Sequence, residues 1–279
     1  MNPHLFDQAI ALQPEGSERP NTFWGTTSPA YWNMVGPFGG STAATALQAV
    51  LQHPALLGEP VALTVNYAAA TTAGLFSITA TPVRTSRSTQ HWVISLSQTK
   101  ADGEEAIAMT ATVMTALRRD TWHMNDMPMP PVLPPQTFAR TDMSGAMEWL
   151  NRYDMRFVRG AVPAVWDGAE NLSPDSLTQL WVRDDVPRNL DFASVTAMAD
   201  VFYPRVWLRR PLRVPAGTVS MTVYFHASAA QLRAAGTGYV LAQAQAQAFR
   251  HGFFDQSAQL WSESGTLLVT SQQLVYFKE

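Results

Sequence analysis

Cysteine is absent from the 279 residues. That single absence excludes disulfide frameworks, thiol nucleophiles and cysteine-based zinc sites together. Charge is also scarce: Asp, Glu, Lys and Arg supply 15% of residues, against the usual ~25%. The net charge of −3 lacks the basic surplus that marks a nucleic-acid binder, so no nucleic-acid partner is expected. Long hydrophobic runs are missing too. The least polar stretch, residues 41–51, is far shorter than the ~20 residues a bilayer requires. The first dozen residues carry Asp7 and no basic cluster, so neither an export signal nor a membrane partner is expected and the chain reads as cytoplasmic. What is present is a hydrophobic fraction of 46%, enough to bury a sizeable core and to exclude disorder as a description of the whole chain.

Proline organises the sequence. Pro128, Pro130, Pro131, Pro134 and Pro135 crowd one stretch together with Asn125 and Asp126. Proline lacks an amide donor and biases its predecessor toward extended backbone, so residues 118–145 read as a connector. It separates units at 1–117 and 146–279 of similar length, which raises the question of an internal repeat.

The order of elements supports one. A short aromatic strand is expected at 23–25, then Gly36-Pro37-Phe38-Gly39-Gly40, then an Ala-rich helix over 41–51 with Ser41 and Thr42 as N-cap candidates. Strand-like runs follow at 61–68, 75–83, 91–98 and 106–116, with Asp102-Gly103 as a hairpin signal. The second unit repeats the order: a helix over 193–203, then strands at 219–226, 239–249, 253–261 and 267–277. Residues 219–226 echo 61–68. The implied class is α+β, with each of two fused units wrapping a curved antiparallel sheet around one long helix. A wrapped helix must be small-sided, and Ala43, Ala44, Ala46 and Ala49 in the first unit, and Ala193, Ala197 and Ala199 in the second, meet that need.

With this order in place, the chain resembles a double-hotdog acyl-CoA thioesterase of the thioesterase II type, across both units. Gly36 to Gly40 before an Ala-rich helix is similar to the family's Gly-Gly helix start. Asp154-Met155-Arg156-Phe157 and Leu180-Trp181-Val182-Arg183 resemble the strands that open its second unit. Ala199-Asp200 matches the family's catalytic Asp, Thr218 its catalytic Thr, and Thr270-Ser271-Gln272-Gln273 its catalytic Gln segment, with Gln273 in register. Val219 and Ser220 depart from the acidic residue and His that often follow the Thr.

The resemblance implies hydrolysis of an acyl-CoA to a carboxylic acid and free CoA. Asp200 would take or orient the proton of an attacking water, with Thr218 and Gln273 holding that water. Backbone amides at a helix start would be oxyanion donors; Gly39-Gly40 is one such place, and the second-unit start near 191–193 is expected to be the one serving Asp200. Arg84, Arg87 and Arg250, near strand ends, are candidates for the CoA phosphates beside Gly39 and Gly40. No cofactor is expected beyond the CoA of the substrate, and self-association through the hotdog sheets is.

Read without the resemblance, Thr196, Asp200 and Tyr203 are simply the less apolar face of a helix, and Thr218 and Gln273 are ordinary strand positions. A protein that binds acyl thioesters without cleaving them is the alternative function. His4, His53, His91, His123, His226 and His251 never fall at metal-ligand spacing, so no metal site is expected. Gly39-Gly40-Ser41-Thr42-Ala43 approaches a nucleophile elbow but ends in Ala, and Ser41 reads better as a cap. Gln243, Gln245 and Gln247 alternate with alanines, which reads as a polar strand face for solvent or a subunit.

Overall fold

A computed structural model describes residues 3–99, 103–168 and 173–279. The first unit runs α1 (Leu5–Ala9), β1 (Gln13–Pro14), β2 (Thr22–Thr26), α2 (Gly39–Leu51), β3 (Glu59–Tyr67), β4 (Leu75–Thr85), β5 (Thr89–Thr99) and β6 (Glu105–Ala116). The second runs β7 (Tyr153–Arg159), β8 (Thr178–Asp184), α3 (Phe192–Met198), α4 (Arg205–Arg209), β9 (Ala216–Phe225), α5 (Ala229–Ala235), β10 (Val240–Gln245), β11 (Phe249–Arg250), β12 (Phe253–Ser262) and β13 (Leu267–Phe277).

The strands form one sheet in the order β1-β2-β4-β5-β6-β3-β9-β13-β12-β10-β8-β7, with β11 on β12. The order is palindromic about the β3–β9 seam, where the two units meet. Irregularities repeat as well. One extra residue, Val61, interrupts β3 against β6, and Val219 interrupts β9 against β13. Ala108 does so in β6 against β5, and Leu268 in β13 against β12. Bulges are specific local devices, so their recurrence aligns the units residue by residue. By this alignment Thr64 corresponds to Thr222; the two pair directly across the seam and their hydroxyls hydrogen-bond at 3.0 Å.

The sheet curls around α2 and α3. Alternation along each strand sends one set of side chains inward, such as Leu63 and Val65, or Met221 and Val223, all fully buried. Ala43, Ala44, Ala46 and Ala49 are fully buried, as are Ala197 and Ala199, with Ala193 nearly so. Small residues let the helices touch. A Cβ on Gly40 would lie 2.6 Å from the Ala197 carbonyl oxygen, so the first turn of α2 meets the last turn of α3 across bare backbone. Leu47 and Val50 fill the remaining space, each contributing about 1.5–3 kcal/mol by burial.

Several local expectations change. The helix expected over 193–203 stops at Met198, its last turn tightened by bonds from the Asp200 N–H to the Ala197 carbonyl and from the Val201 N–H to the Met198 carbonyl. Tyr203 therefore turns away, donating to the carbonyls of Gly160 and Ala161, and shares no helix face with Thr196. The strand expected over 239–249 breaks after Gln245. There the Asp255 carboxylate accepts from the N–H groups of both Gln247 and Ala248, and pairing resumes in β11 with a shifted register. Helix α2 begins at Gly39, so Ser41 and Thr42 lie inside its first turn rather than capping it. Of the expected Asp102-Gly103 turn, Asp102 lies outside the described residues, and Gly103 has a φ of +86°.

The proline-rich stretch is no free tether. Met129, Val132 and Phe138 pack with Trp181, Tyr239, Leu241 and Trp261 on the second unit, and the Trp181 indole donates to the Leu133 carbonyl at 3.0 Å. Arg118 donates to the carbonyls of Pro60 and Phe225, tying the two sides of the seam together. Among the described residues no helix is long and apolar enough to cross a membrane.

Candidate active site

Asp200 follows α3 by two residues and is carried on a turn, not on a helix. Its carboxylate meets the first unit. The position of a Gly39 Cβ would be 2.8 Å from Asp200 Oδ2, so only glycine admits the carboxylate here. The Gly40 N–H points at the same carboxylate. Asp200 thus sits at the positive end of α2, where a helix dipole favours an anion. The expected partner, the α3 start, is occupied otherwise: Asp191 caps it, exchanging hydrogen bonds with Ser194, and Arg188 pairs with Asp191 and Asp7. This corrects the expected placement at 191–193. The pairing runs between units, and no local pattern encodes it.

Stacked rings fix the approach to α2. Phe38, immediately before Gly39, lies flat on Trp149 with ring centroids 4.0 Å apart and an interplanar angle of 1°. Trp149 belongs to the second unit's leading turn, so both units brace the glycine pair.

Gln273 and Thr218 complete the grouping. Gln273 lies on the inward face of β13, is 5% exposed, and donates from Nε2 to Asp200 Oδ1 at 2.9 Å. The same amide group reaches the Ala199 carbonyl and the Met221 sulfur, each at 3.4 Å. Thr218, on β9, donates from its hydroxyl to Gln273 Oε1 at 3.3 Å. Since a glutamine oxygen only accepts and its nitrogen only donates, the Thr218 bond sets the amide so that its N–H faces Asp200. Thr218 acts through Gln273.

Burial pushes the Asp200 carboxyl up to about 7, against the opposing hydrogen bonds from Gln273 and Gly40. A carboxyl poised there can exchange a proton with water near neutral pH. The residue keeps partial exposure, so water has access to it.

Other candidates lie apart. Arg84 pairs with His91 on β5, while the row holding Tyr67 of β3 runs through Met109 to Leu96. Five residues of strand separate these rows, about 17 Å, and Arg87 lies further still, in the β4–β5 turn. Both are exposed, as is Arg250 on the two-residue β11, outside the path of the sheet. The structure brings none of the three to Asp200. Ser41 is buried, with its hydroxyl committed to the Phe38 carbonyl at 2.7 Å. Among the described residues no group of three or more His, Cys, Asp or Glu side chains could hold a metal ion.

The bulge alignment locates the counterpart of this site in the other half. Asp200 is the ninth residue from the start of α3, and Leu47 the ninth from the start of α2; Pro60 corresponds to Thr218 and Val113 to Gln273. Leucine, proline and valine offer no hydrogen-bonding side chain. Among the described residues each chain therefore carries one such grouping, assembled across the seam.

Models of the acyl-CoA thioesterase N-terminal and C-terminal domains match residues 28–116 and 126–277. The chain belongs to the acyl-CoA thioesterase family. A conserved protein of unknown function with a hot dog fold from Alicyclobacillus acidocaldarius is 43% identical over 100% of this chain and 99% of that one, with a TM-score of 0.90. Two more distant structures share the fold over 98% of each chain. They are a tesB protein from Mycobacterium avium subs paratuberculosis (15% identity, TM-score 0.75) and an acyl-CoA thioesterase II from Mycobacterium marinum (14%, 0.73). No curated protein matches the chain. Family membership and these neighbours make the architecture a double hotdog, and they support thioester hydrolysis as the general activity.

Two features escaped the sequence. Tyr67 donates from its hydroxyl to the Gly39 carbonyl at 2.9 Å, beside Asp200. Its signal was its place on the inward side of a strand, in alternation with Leu63 and Val65. Asp184 is another buried carboxylate, 2% exposed, lying opposite Tyr153 in the β7–β8 pairing with Oδ2 unpartnered among the described residues. Burial, opposed by Arg188, raises it to about 7. Nothing in its strand pattern marked it.

Proposed function

We propose that the protein hydrolyses an acyl-CoA thioester with a water activated at Asp200. The observation that carries this reading is the half-buried hydrogen bond between Asp200 and Gln273, set by Thr218 at the start of α2. In the reaction, ionised Asp200 accepts a proton as the water oxygen bonds to the thioester carbonyl carbon. The tetrahedral intermediate then collapses, breaking the carbon–sulfur bond to leave a carboxylic acid and the thiolate of CoA, which takes up a proton. Gln273 cannot accept a proton, so its contribution is to fix the carboxylate and the water it serves. The positive end of α2 favours negative charge developing on the carbonyl oxygen.

Release of free thiol from a panel of acyl-CoAs differing in chain length tests the reading. Turnover that disappears in Asp200→Ala is expected. Binding of acyl-CoA with no thiol release at any chain length would instead make the protein a non-catalytic acyl-thioester binder. Self-association through the outer sheet face belongs to the same proposal. Tyr224, Leu274 and Tyr276 are exposed there, on the side away from the helices. Light scattering should give a mass above the 30.7 kDa of one chain.

A further inference from the structure

The hydroxyl of Tyr67 donates to the carbonyl of Gly39 at 2.9 Å. That carbonyl belongs to the same peptide unit as the Gly40 N–H, which points at the Asp200 carboxylate. The space a Gly39 Cβ would fill is bounded by Asp200 Oδ2 at 2.8 Å and by Tyr67 Oη at 3.6 Å. Phenol and carboxylate therefore close on one glycine from two sides. We infer that Tyr67 is a positioning residue for Asp200, holding the Gly39–Gly40 peptide so that its N–H faces the carboxylate. The kinetic consequence rests on the hydrolase reading above; the geometric one does not.

Two further observations support it. A carbonyl that accepts an O–H bond polarises its own peptide and strengthens the donor at the far end. Burial raises the Tyr67 phenol far above its usual range, so it remains a donor throughout the working pH. The other half supplies an internal comparison. There the strand position of Tyr67 is held by Phe225, whose ring packs edge-on against Phe192, the first residue of α3, at 5.5 Å. At that pseudo-symmetric position, the start of α3, the residue in the place of Asp200 is Leu47 of the first unit. The hydroxyl is present only where there is a carboxylate to hold, and a phenylalanine demonstrably suits the strand.

The experiment compares the wild-type protein with Tyr67→Phe. The Asp200 titration is followed by carboxyl-carbon NMR, and kcat and KM are measured across pH. The variant should keep its melting temperature. Its Asp200 midpoint should rise, with the acidic limb of kcat moving the same way, and kcat at neutral pH should drop about tenfold at nearly constant KM. An Asp200 midpoint and kcat equal to wild type would overturn the inference. So would a variant that loses its fold, since the hydroxyl would then be a stability element. If the wild-type protein releases no thiol, the hydrolase reading alone fails, and the Asp200 midpoint still decides the role of Tyr67.

Discussion

Gln273 holds Asp200 at 2.9 Å while its own amide is turned by Thr218. The two residues therefore lie in series. Thr218→Val should lower kcat, Gln273→Leu should lower it further, by about tenfold to a hundredfold, and the double variant should be no worse than Gln273→Leu alone. Additive losses would mean that Thr218 touches the reacting water directly.

Asp200→Asn preserves shape and removes the base. Turnover should fall by about two to four orders of magnitude with the fold intact. In the wild-type protein, only ionised Asp200 can accept a proton, so kcat should be low at acid pH and climb through the Asp200 value of about 7. The pH profile of thiol release checks both points.

Gly39→Ala tests the close approach at the α2 start. The added methyl would collide with Asp200 Oδ2 at 2.8 Å, so the carboxylate must move. Helix propensity favours alanine over glycine. Melting temperature should therefore hold while kcat collapses, an opposite pair of effects read in calorimetry and in the thiol assay.

Asp184 should make stability pH-dependent. Its folded value, about 7, lies above the ordinary 3.8, so between those values the native chain keeps a proton that the unfolded chain has lost. Stability is then complete below about pH 4 and declines as pH rises to about 7. The shift corresponds to roughly 4 kcal/mol at most. Asp184→Asn should be more stable than wild type at about pH 8 and equal to it at about pH 4 by denaturant titration. Asp200 adds a parallel decline in both proteins.

Only one half carries polar side chains at the three site positions. Calorimetric titration with a non-hydrolysable acyl-CoA analogue should accordingly give one site per chain. Leu47→Ala should destabilise the protein, by about 2–5 kcal/mol, without touching the site chemistry beyond that loss. Two sites per chain would contradict the assignment of Leu47, Pro60 and Val113 as inert counterparts.

The strands were legible because alternation is local: the run expected at 267–277 is β13 to the residue. The duplication was legible from element order, and the repeated bulges now align it. Asp200, Thr218 and Gln273 came from the family resemblance, and the structure places them within one chain of hydrogen bonds. What stayed hidden depends on contacts between residues far apart in sequence. Nothing near Asp200 in sequence shows that its carboxylate faces Gly39 and Gly40, more than 150 positions earlier, or that Tyr67 stands behind them. How far Arg84 and Arg87 lie from Asp200 was hidden for the same reason: a strand end has two directions, and only the sheet register shows which one the site lies in.

The β3–β9 seam lies inside a single chain, and the site straddles it. In a protein built from two separate copies, such a site would come apart on dilution. Covalent joining replaces that bimolecular encounter with a fixed, high effective concentration of each half for the other. Specific activity should thus remain constant down to nanomolar protein, whatever larger assembly the chains form, and two copies that need not be identical were free to specialise, one supplying the glycine pair and its tyrosine, the other the carboxylate and its amide.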